Sequence, residues 1–466
     1  MNDTHFLRVL VLSLCTLSAC ATNQLQRPAS PAGTIAVGVA QIDITPPEPI
    51  RLMGYGSRTA PSERVEQRLR AKALALSGGN EPAAILITVD LIGMSERLAN
   101  EIARSLEKAG IERRQLAISA THTHTGPTLA GTLPFIFSTP PTPEQQRVID
   151  RYSAELVDKL ERVARDALAS RQPARLAWGQ GTATFAANRR VLKDGKWTGF
   201  GVTPDGVVDR DLPVLTVRAA DGSLRAVLVS YACHATTLEG KDNYVHGDWP
   251  GTAQEVIERQ HPGAIAMVAI GTGADANPNP RGGGTADVDR HAREVAAEVE
   301  RVIAGPLKSL AAPPSGRWRV IDLPLAAART RSEWDQQAKD KGATGIFARA
   351  IVERLERGER LETSVRYPVQ TWTFGNDLAM TFLGGEVVAD YGLRLKRELD
   401  ASRLWVNAYA NDVAFYVPSK RMIPEGGYEV VGSMVYYGHP ASLGEATEDL
   451  IVRTVLDLLP NDYRRK

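Results

Sequence analysis

From Ile35 onward, short apolar runs of β-forming residues alternate with long amphipathic stretches, and that alternation confines the chain to an α/β fold. The pattern predicts strands over 36–43, 71–76, 85–90, 116–121, 214–217, 226–233, 265–270, 369–374, 378–383 and 404–409. It predicts helices over 95–108, 143–170, 251–260, 286–303, 333–358, 387–399 and 444–458. No internal repeat, second low-complexity stretch or further membrane-length hydrophobic segment interrupts this part of the sequence. The expectation is one large catalytic domain over 34–466, with mixed β-sheets flanked by helices.

Polar residues interrupt the pattern mostly at the ends of the predicted strands. The run Ile85-Leu86-Ile87-Thr88-Val89 ends in Asp90, and the run from Ala117 ends in His122 and His124. Likewise 226–233 ends in His234, 265–270 leads to Asp275, 378–383 leads through Gly384 and Gly385 to Glu386, and 404–409 leads to Asn411. In open α/β sheets the carboxyl ends of strands are where ligands bind, because loops there converge on a crevice. Taken singly, Asp90 and Asn411 read as well as helix caps or turn formers. Together the six suggest one site.

His122 and His124 are the strongest of these. Side chains two apart on a strand share a face, so both imidazoles point to one spot, as a Zn²⁺ site requires of its nitrogen ligands. The chain has only eight histidines, which makes a chance pair at the end of an apolar run an unattractive alternative. His234 is the expected third ligand, its alternative being a satisfied core histidine. Glu386 supplies a fourth position, and the glycines before it let the backbone turn closely; it reads equally as a first-turn carboxylate favoured by the dipole of the following helix. His246 is assigned to the surroundings of the site, and His261, His291 and His439 receive no role.

The N-terminus speaks to location. Residues 7–19 are an apolar run too short to span a bilayer, and Leu17-Ser18-Ala19-Cys20 resembles a bacterial lipobox. The expectation is a lipoprotein signal peptide over 1–19, lipidation at Cys20 and a tether rich in Pro, Ser, Gln and Ala up to residue 33. Ala21 after the cysteine suits anchoring in the outer membrane on the periplasmic side; ordinary secretory cleavage is the alternative. Of three cysteines this leaves Cys233 alone, so a large core rather than disulfides must hold the fold. A formal net charge of +1, with no basic run interleaved with aromatics, excludes nucleic acid as the evident partner.

Common catalytic signatures are missing. There is no Gly-x-Ser-x-Gly elbow and no His-Glu-x-x-His, and Arg281-Gly282-Gly283-Gly284 lacks the Lys-Ser or Lys-Thr of a phosphate loop. A different set of motifs is present, in order: Val37 to Pro46, Leu52-Met53-Gly54-Tyr55-Gly56, Leu69-Arg70-Ala71-Lys72-Ala73 and Ser119 to Pro127. Ala187-Asn188-Arg189, Cys233-His234-Ala235-Thr236, Gly247-Asp248, Asp275 to Asn279, Gly384-Gly385-Glu386 and residues 411–428 follow. This series resembles the neutral or alkaline, non-lysosomal ceramidases.

The resemblance implies a catalytic zinc held by His122, His124, His234, Glu386 and a tyrosine, carried onto Tyr416 with Tyr428 as the alternative. It also implies cleavage of an N-acyl amide in a small-molecule or lipid-like substrate. One position departs from the family: where its catalytic serine stands in Gly-Asp-x-Ser-Pro-Asn, this chain has Asn277, within Gly273 to Asn279. The family's Asn-Arg-Ser-Pro is here Asn188-Arg189-Arg190-Val191, adding charge. Zinc chemistry needs no serine, because the ion itself activates water. Asn277 or Arg189 then donates to the developing oxyanion, Tyr416 orients water or leaving group, and Asp248 and Asp275 carry protons or support the histidines. The alternatives are a zinc hydrolase of the same fold acting on another ester, amide or glycoconjugate, and a metal-binding lipoprotein that has lost catalysis. Residues 326–367 match no family element and read as a surface hairpin or a lid.

Overall fold

The computed structural model describes residues 34–78 and 81–465. The signal peptide, Cys20 and the tether lie outside these residues. Three antiparallel strands open the described chain: β1 (Ile35–Asp43), β2 (Arg70–Gly78) and β3 (Glu81–Val89). Helix α1 (Glu96–Glu107) crosses to β4 (Leu116–Ala120), which lies parallel to β3. The long α2 (Pro143–Ala169) starts at Thr142, whose side chain caps the amide of Gln145, and has Pro143 in its first turn. It leads to β5 (Gln172–Thr182). A hairpin of β6 (Ala186–Lys193) and β7 (Lys196–Thr203) precedes β8 (Asp211–Ala219) and β9 (Leu224–Tyr231). Then come α3 (Asp248–Gln260), β10 (Ile265–Ile270), β11 (Ala276–Pro278), α4 (Thr285–Ala304) and β12 (Lys308–Leu310).

The second part starts with β13 (Ser315–Pro324), α5 (Arg331–Gln337) and α6 (Gly342–Glu356). It continues through β14 (Ser364–Phe374), β15 (Leu378–Leu383), β16 (Glu386–Val387), α7 (Ala389–Glu398), β17 (Leu404–Asn407) and β18 (Tyr416–Val417). Two single turns, α8 (Met422–Glu425) and α9 (Met434–Tyr437), flank a π-helical turn over Tyr428–Gly432, and α10 (Thr447–Leu458) follows.

A large mixed sheet in the order β10-β9-β8-β5-β1-β2-β3-β4 packs on a four-stranded sheet in the order β13-β14-β15-β17. Alternation along β2 and β3 splits their side chains between two cores. Ala73, Ala75, Ile85 and Ile87 face α1 and α2, meeting Leu98, Ile102, Leu156 and Leu160. Leu74, Leu76 and Leu86 face the other sheet, meeting Trp372, Met380, Phe382 and Trp405. On β9 and β10, Val227, Val229, Val268 and Ile270 are covered by α3 and α4 through Ile257, Val295 and Val299. Helix α10 covers the outer face of the smaller sheet, its Ile451 and Val455 meeting Tyr367 and Val369, so helix, sheet, sheet and helix form layers, the α/β architecture with helix-flanked mixed sheets that the hydrophobic pattern required.

This packing brings carboxyl ends of strands from both sheets together. The amide of Ala408 after β17 bonds Ile270 O on β10 at 2.9 Å, and the amide of Asn411 bonds Ile118 O on β4 at 2.7 Å. Thr123 pairs with Ala235 as a parallel bridge, and Ser119 with Ala410 as an antiparallel one. The predicted helix over 333–358 is two helices, because Lys341-Gly342, with Gly342 at φ 72°, breaks it. That hairpin has its own small core of Trp334, Phe347 and Ile351, closed by Val435 of α9.

Candidate metal centre

His122 does not sit on a strand. β4 ends at Ala120, and His122 lies in a left-handed turn at φ 58°, so the shared direction of His122 and His124 comes from this turn rather than from strand alternation. A left-handed conformation in a non-glycine residue is strained and persists where the surroundings fix it. Here the Thr123 and Thr125 hydroxyls both donate to His246 O, at 2.8 and 2.7 Å, and the His124 amide donates to Ala235 O. His246 thus holds the ligand loop through its backbone, while its ring Nδ1 accepts the Asp248 amide at 2.9 Å.

Each of the three imidazoles has its outer nitrogen bonded to a backbone carbonyl. His122 Nδ1 donates to Ile92 O at 2.6 Å, His124 Nδ1 to Gly54 O at 3.2 Å, and His234 Nδ1 to Gly273 O at 3.0 Å. A carbonyl can only accept, so Nδ1 carries a proton in all three and Nε2 is the nitrogen that faces inward. The inward atoms crowd one point. His122 Nε2 and His124 Nε2 are 3.2 Å apart, and Glu386 Oε2 lies 3.1 Å from both His122 Nε2 and His234 Nε2. All three histidines offer nitrogens within 4.8 Å of one another.

Four potential ligand atoms converging on one point fit a cation. Ligands about 2.0–2.1 Å from a tetrahedral ion lie about 3.3–3.4 Å apart, close to the separations here. Electrostatics agree. Burial, reinforced by the neighbouring imidazoles, holds His124 well below its ordinary range, and burial with the Arg189 charge pushes His234 down to about 4. Burial alone would raise Glu386, but the adjoining His122 and His234 outweigh it and keep the carboxyl well below its usual range. Three imidazoles beside a carboxylate are a donor set that fits a divalent metal.

Backbone pairing supplies the rest of the site. Glu386 and Tyr416 are direct partners in the β16–β18 register, which carries the Tyr416 hydroxyl to 3.2 Å from His234 Nε2. Tyr428 stacks edge-on against Tyr416 at 5.3 Å between ring centres. On β6 and β11, Asn277 pairs with Ala187 and Ala276 with Asn188, while the Arg189 amide donates to Asp275 O. Arg189 Nη2 then donates to Tyr416 OH at 3.2 Å and Nη1 to Asn277 Oδ1 at 3.3 Å, with Nη1 3.4 Å from His234 Nε2. Thr236 Oγ1 also donates to Asn277 Oδ1, at 3.2 Å, leaving the Asn277 Nδ2 side for the adjoining cleft.

Asp275 and Asp248 stand behind these groups. Asp275 Oδ1 accepts the Ala389 amide and Oδ2 accepts Asn188 Nδ2, and burial pushes the carboxyl up to about 7. Asp248 accepts the amides of Leu238 and Trp249, and Trp249 Nε1 donates to His234 O at 2.9 Å. Asp90 accepts the Arg70 amide and Gln254 Nε2, and the Asn411 side chain bonds Ile118 N and Gln370, so both brace strand ends. His261, His291 and His439 bond Glu300, Pro280 O and Ala414 O away from the cluster.

Several residues here escape sequence reasoning. Tyr437 on α9 donates its hydroxyl to Glu386 Oε1. Tyr409 lays its ring 4.3 Å from that of His122, and Tyr55 packs 5.2 Å from His124. Glu429, fully buried, pairs with Arg189 Nε at 2.9 Å and with Arg190 Nη1. The Met-Gly-Tyr run marked Tyr55; nothing in Met434 to Tyr437 distinguishes a ligand support from core.

The sequence model of the neutral/alkaline non-lysosomal ceramidases, N-terminal part, matches residues 35–289. The chain belongs to that family. Its fold is similar to the crystal structure of neutral ceramidase from Pseudomonas aeruginosa, with a TM-score of 0.71 at 19% identity, covering 91% of this chain and 74% of that one. A ceramidase complexed with C2 is similar to the same degree, with a TM-score of 0.71 at 17% identity over 91% of this chain and 74% of that one. No curated protein matches the sequence. Among the described residues of this ceramidase-family chain, no helix is long and apolar enough to cross a membrane.

Proposed function

We propose that the chain is an exported zinc-dependent hydrolase that cleaves an N-acyl amide, with water in place of a serine nucleophile. The observation that carries the reading is the inward-facing set of three Nε2 atoms and the Glu386 carboxylate. His122, His124, His234 and Glu386 would hold the ion, with Tyr416 beside them. Bound zinc would polarise the scissile carbonyl and make water a nucleophile near neutral pH.

The protein's own groups do the remainder. Arg189 is kept charged inside the site: burial alone would lower it, but Tyr416 and Glu429 hold it well above its ordinary range. Arg189 holds the Tyr416 hydroxyl and Asn277 Oδ1, and Asn277, which lines the cleft, is the donor for the negative charge that develops on the carbonyl oxygen. Burial raises Tyr416 well above its ordinary range, so its hydroxyl keeps its proton and can donate a hydrogen bond at the departing amine, which takes the proton that the attacking water gives up. Asp275 and Asp248 spend their oxygens on amides and act by positioning Asn188, the first turn of α7 and the His234 loop.

Family membership supports amide hydrolysis, and Asn277 in the serine position supports water as the nucleophile. The lipobox-like Cys20 supports anchoring in the cell envelope. The reading is tested with purified protein and a panel of N-acyl amines, including ceramide. Turnover abolished by chelator, restored by Zn²⁺ and absent in His234→Ala is expected; no turnover on amides, with hydrolysis of esters or glycoconjugates, would move the chain to another specificity. No turnover on any of them would favour a metal-binding lipoprotein.

A further inference from the structure

Beside Asn277 opens a cleft of about 210 Å³ whose lining is mixed in chemistry. Phe200 and Val202, 53% and 55% exposed, supply apolar lining from β7, while Asn277, Asn279 and Arg281 supply polar lining. Pockets that enclose drug-sized ligands run from about 300 Å³ upward, so this space suits a head group rather than a second hydrocarbon chain. Phe200 is held in place on this cleft, packing edge-on against Tyr428 at 5.0 Å with Arg189 5.0 Å from its ring centre. A head group seated here meets Arg281.

The cations around the site are not equally occupied. Arg189 and Arg190 both pair with the buried Glu429, and Arg190 bonds Glu425 as well, at 3.0 Å. Arg281 is different. Its nearest carboxylate, Glu239, is 3.8 Å away and also serves Lys241 at 3.7 Å, so two cations share one loosely placed anion. Arg281 Nη2 donates to Tyr55 OH at 3.2 Å, and its buried Nε has no partner among the described residues. Tyr55 in turn is fixed by Leu238 O and lies against His124, so the guanidinium is tied to the metal centre at a set distance.

Accepting the amidase reading, on which this rests, we propose that the amine portion of the substrate carries a negative charge and that Arg281 is the residue that selects it. A planar guanidinium with unspent charge suits a carboxylate or phosphate. A neutral sphingoid amine offers it neither. The proposal therefore separates this chain from ceramide cleavage by one residue of the cleft.

The test compares three ligands with one acyl chain: N-lauroylglycine, N-lauroyl-O-phosphoethanolamine and the neutral N-lauroylethanolamine. Their affinities for the purified full chain are measured by calorimetry, with hydrolysis scored in parallel. At least one anionic ligand should bind about tenfold tighter than the neutral one, the usual scale of a charged hydrogen bond, and which one does so distinguishes carboxylate from phosphate. Arg281→Gln should bring the ratio close to one, Arg281→Lys should keep part of it, and Glu239→Gln should increase it. Neutral ligand bound as tightly as both anions, or a ratio that survives Arg281→Gln, would overturn the proposal. Loss of turnover on all three with the binding ratio intact removes the amidase reading and leaves the anion site standing.

Discussion

Tyr437→Phe removes a single oxygen from the heart of the metal centre. The Tyr437 hydroxyl donates to Glu386 Oε1, while Oε2 faces the nitrogens of His122 and His234 at 3.1 Å. The ring packs 6.3 Å from Tyr416 and would stay there as a phenyl. A hydrogen bond to a charged group contributes about 1.5–3 kcal/mol. Loss of a group behind a metal ligand typically weakens metal binding about 10–100-fold, which is about 1.4–2.7 kcal/mol. The two ranges agree, so the Kd for Zn²⁺ should rise about 10–100-fold. Competition against a chromophoric chelator measures it, with thermal unfolding of both proteins as the control for folding. An unchanged Kd in a variant of unchanged Tm would refute the claim that Tyr437 positions the carboxylate.

Asn277→Ala should lower kcat about 10²–10³-fold with a smaller effect on KM, because the amide is placed to donate to developing charge; steady-state kinetics on the substrate found above decides. Arg189→Met leaves Glu429 buried beside Arg190 alone and should cost about 1–3 kcal/mol of stability. Adding Glu429→Gln should recover much of that in denaturant unfolding without recovering activity. Asp412, whose carboxylate accepts the Glu96 amide at 2.9 Å, is pushed by burial up to about 7. Between the ordinary carboxylate range and that value the native state binds more protons than the unfolded chain, so this contribution to stability is lost as pH rises toward and through 7. Asp412→Asn should flatten the fall of Tm between about pH 4 and pH 7, as seen by calorimetry in buffers spanning that interval.

The parts of the site legible in the sequence share a cause. His122, His124, His234 and Glu386 each follow a strongly apolar run, and such runs end at the same edge once two sheets pack face to face. The common direction of His122 and His124 has a different origin from the one their spacing implies. Strand alternation does not reach His122, because a left-handed turn begins there, and such a turn at a histidine leaves no mark in an apolar pattern. β5 and β13 escaped because their exposed faces carry Gln, Arg and Asp among few branched residues, so their period reads weakly. The β6–β7 hairpin did carry a signal: Asp194-Gly195, at φ 52° and 72°, is the two-residue turn that joins such strands. Tyr437 and Glu429 stayed hidden because their roles depend on side chains that lie 51 and more than 200 positions away in the chain. Residues 326–367, read as a surface hairpin or a lid, form α5 and α6 with a core of their own, resting on the turn that carries Tyr437.

Zinc K-edge X-ray absorption of the zinc-loaded full chain tests the central claim most directly. The account predicts one bound ion with the multiple-scattering signature of about three imidazoles and a short oxygen shell from carboxylate. Sulfur scattering from Cys233, or an ion that keeps all its imidazoles after His122 and His234 are both replaced by alanine, would contradict it.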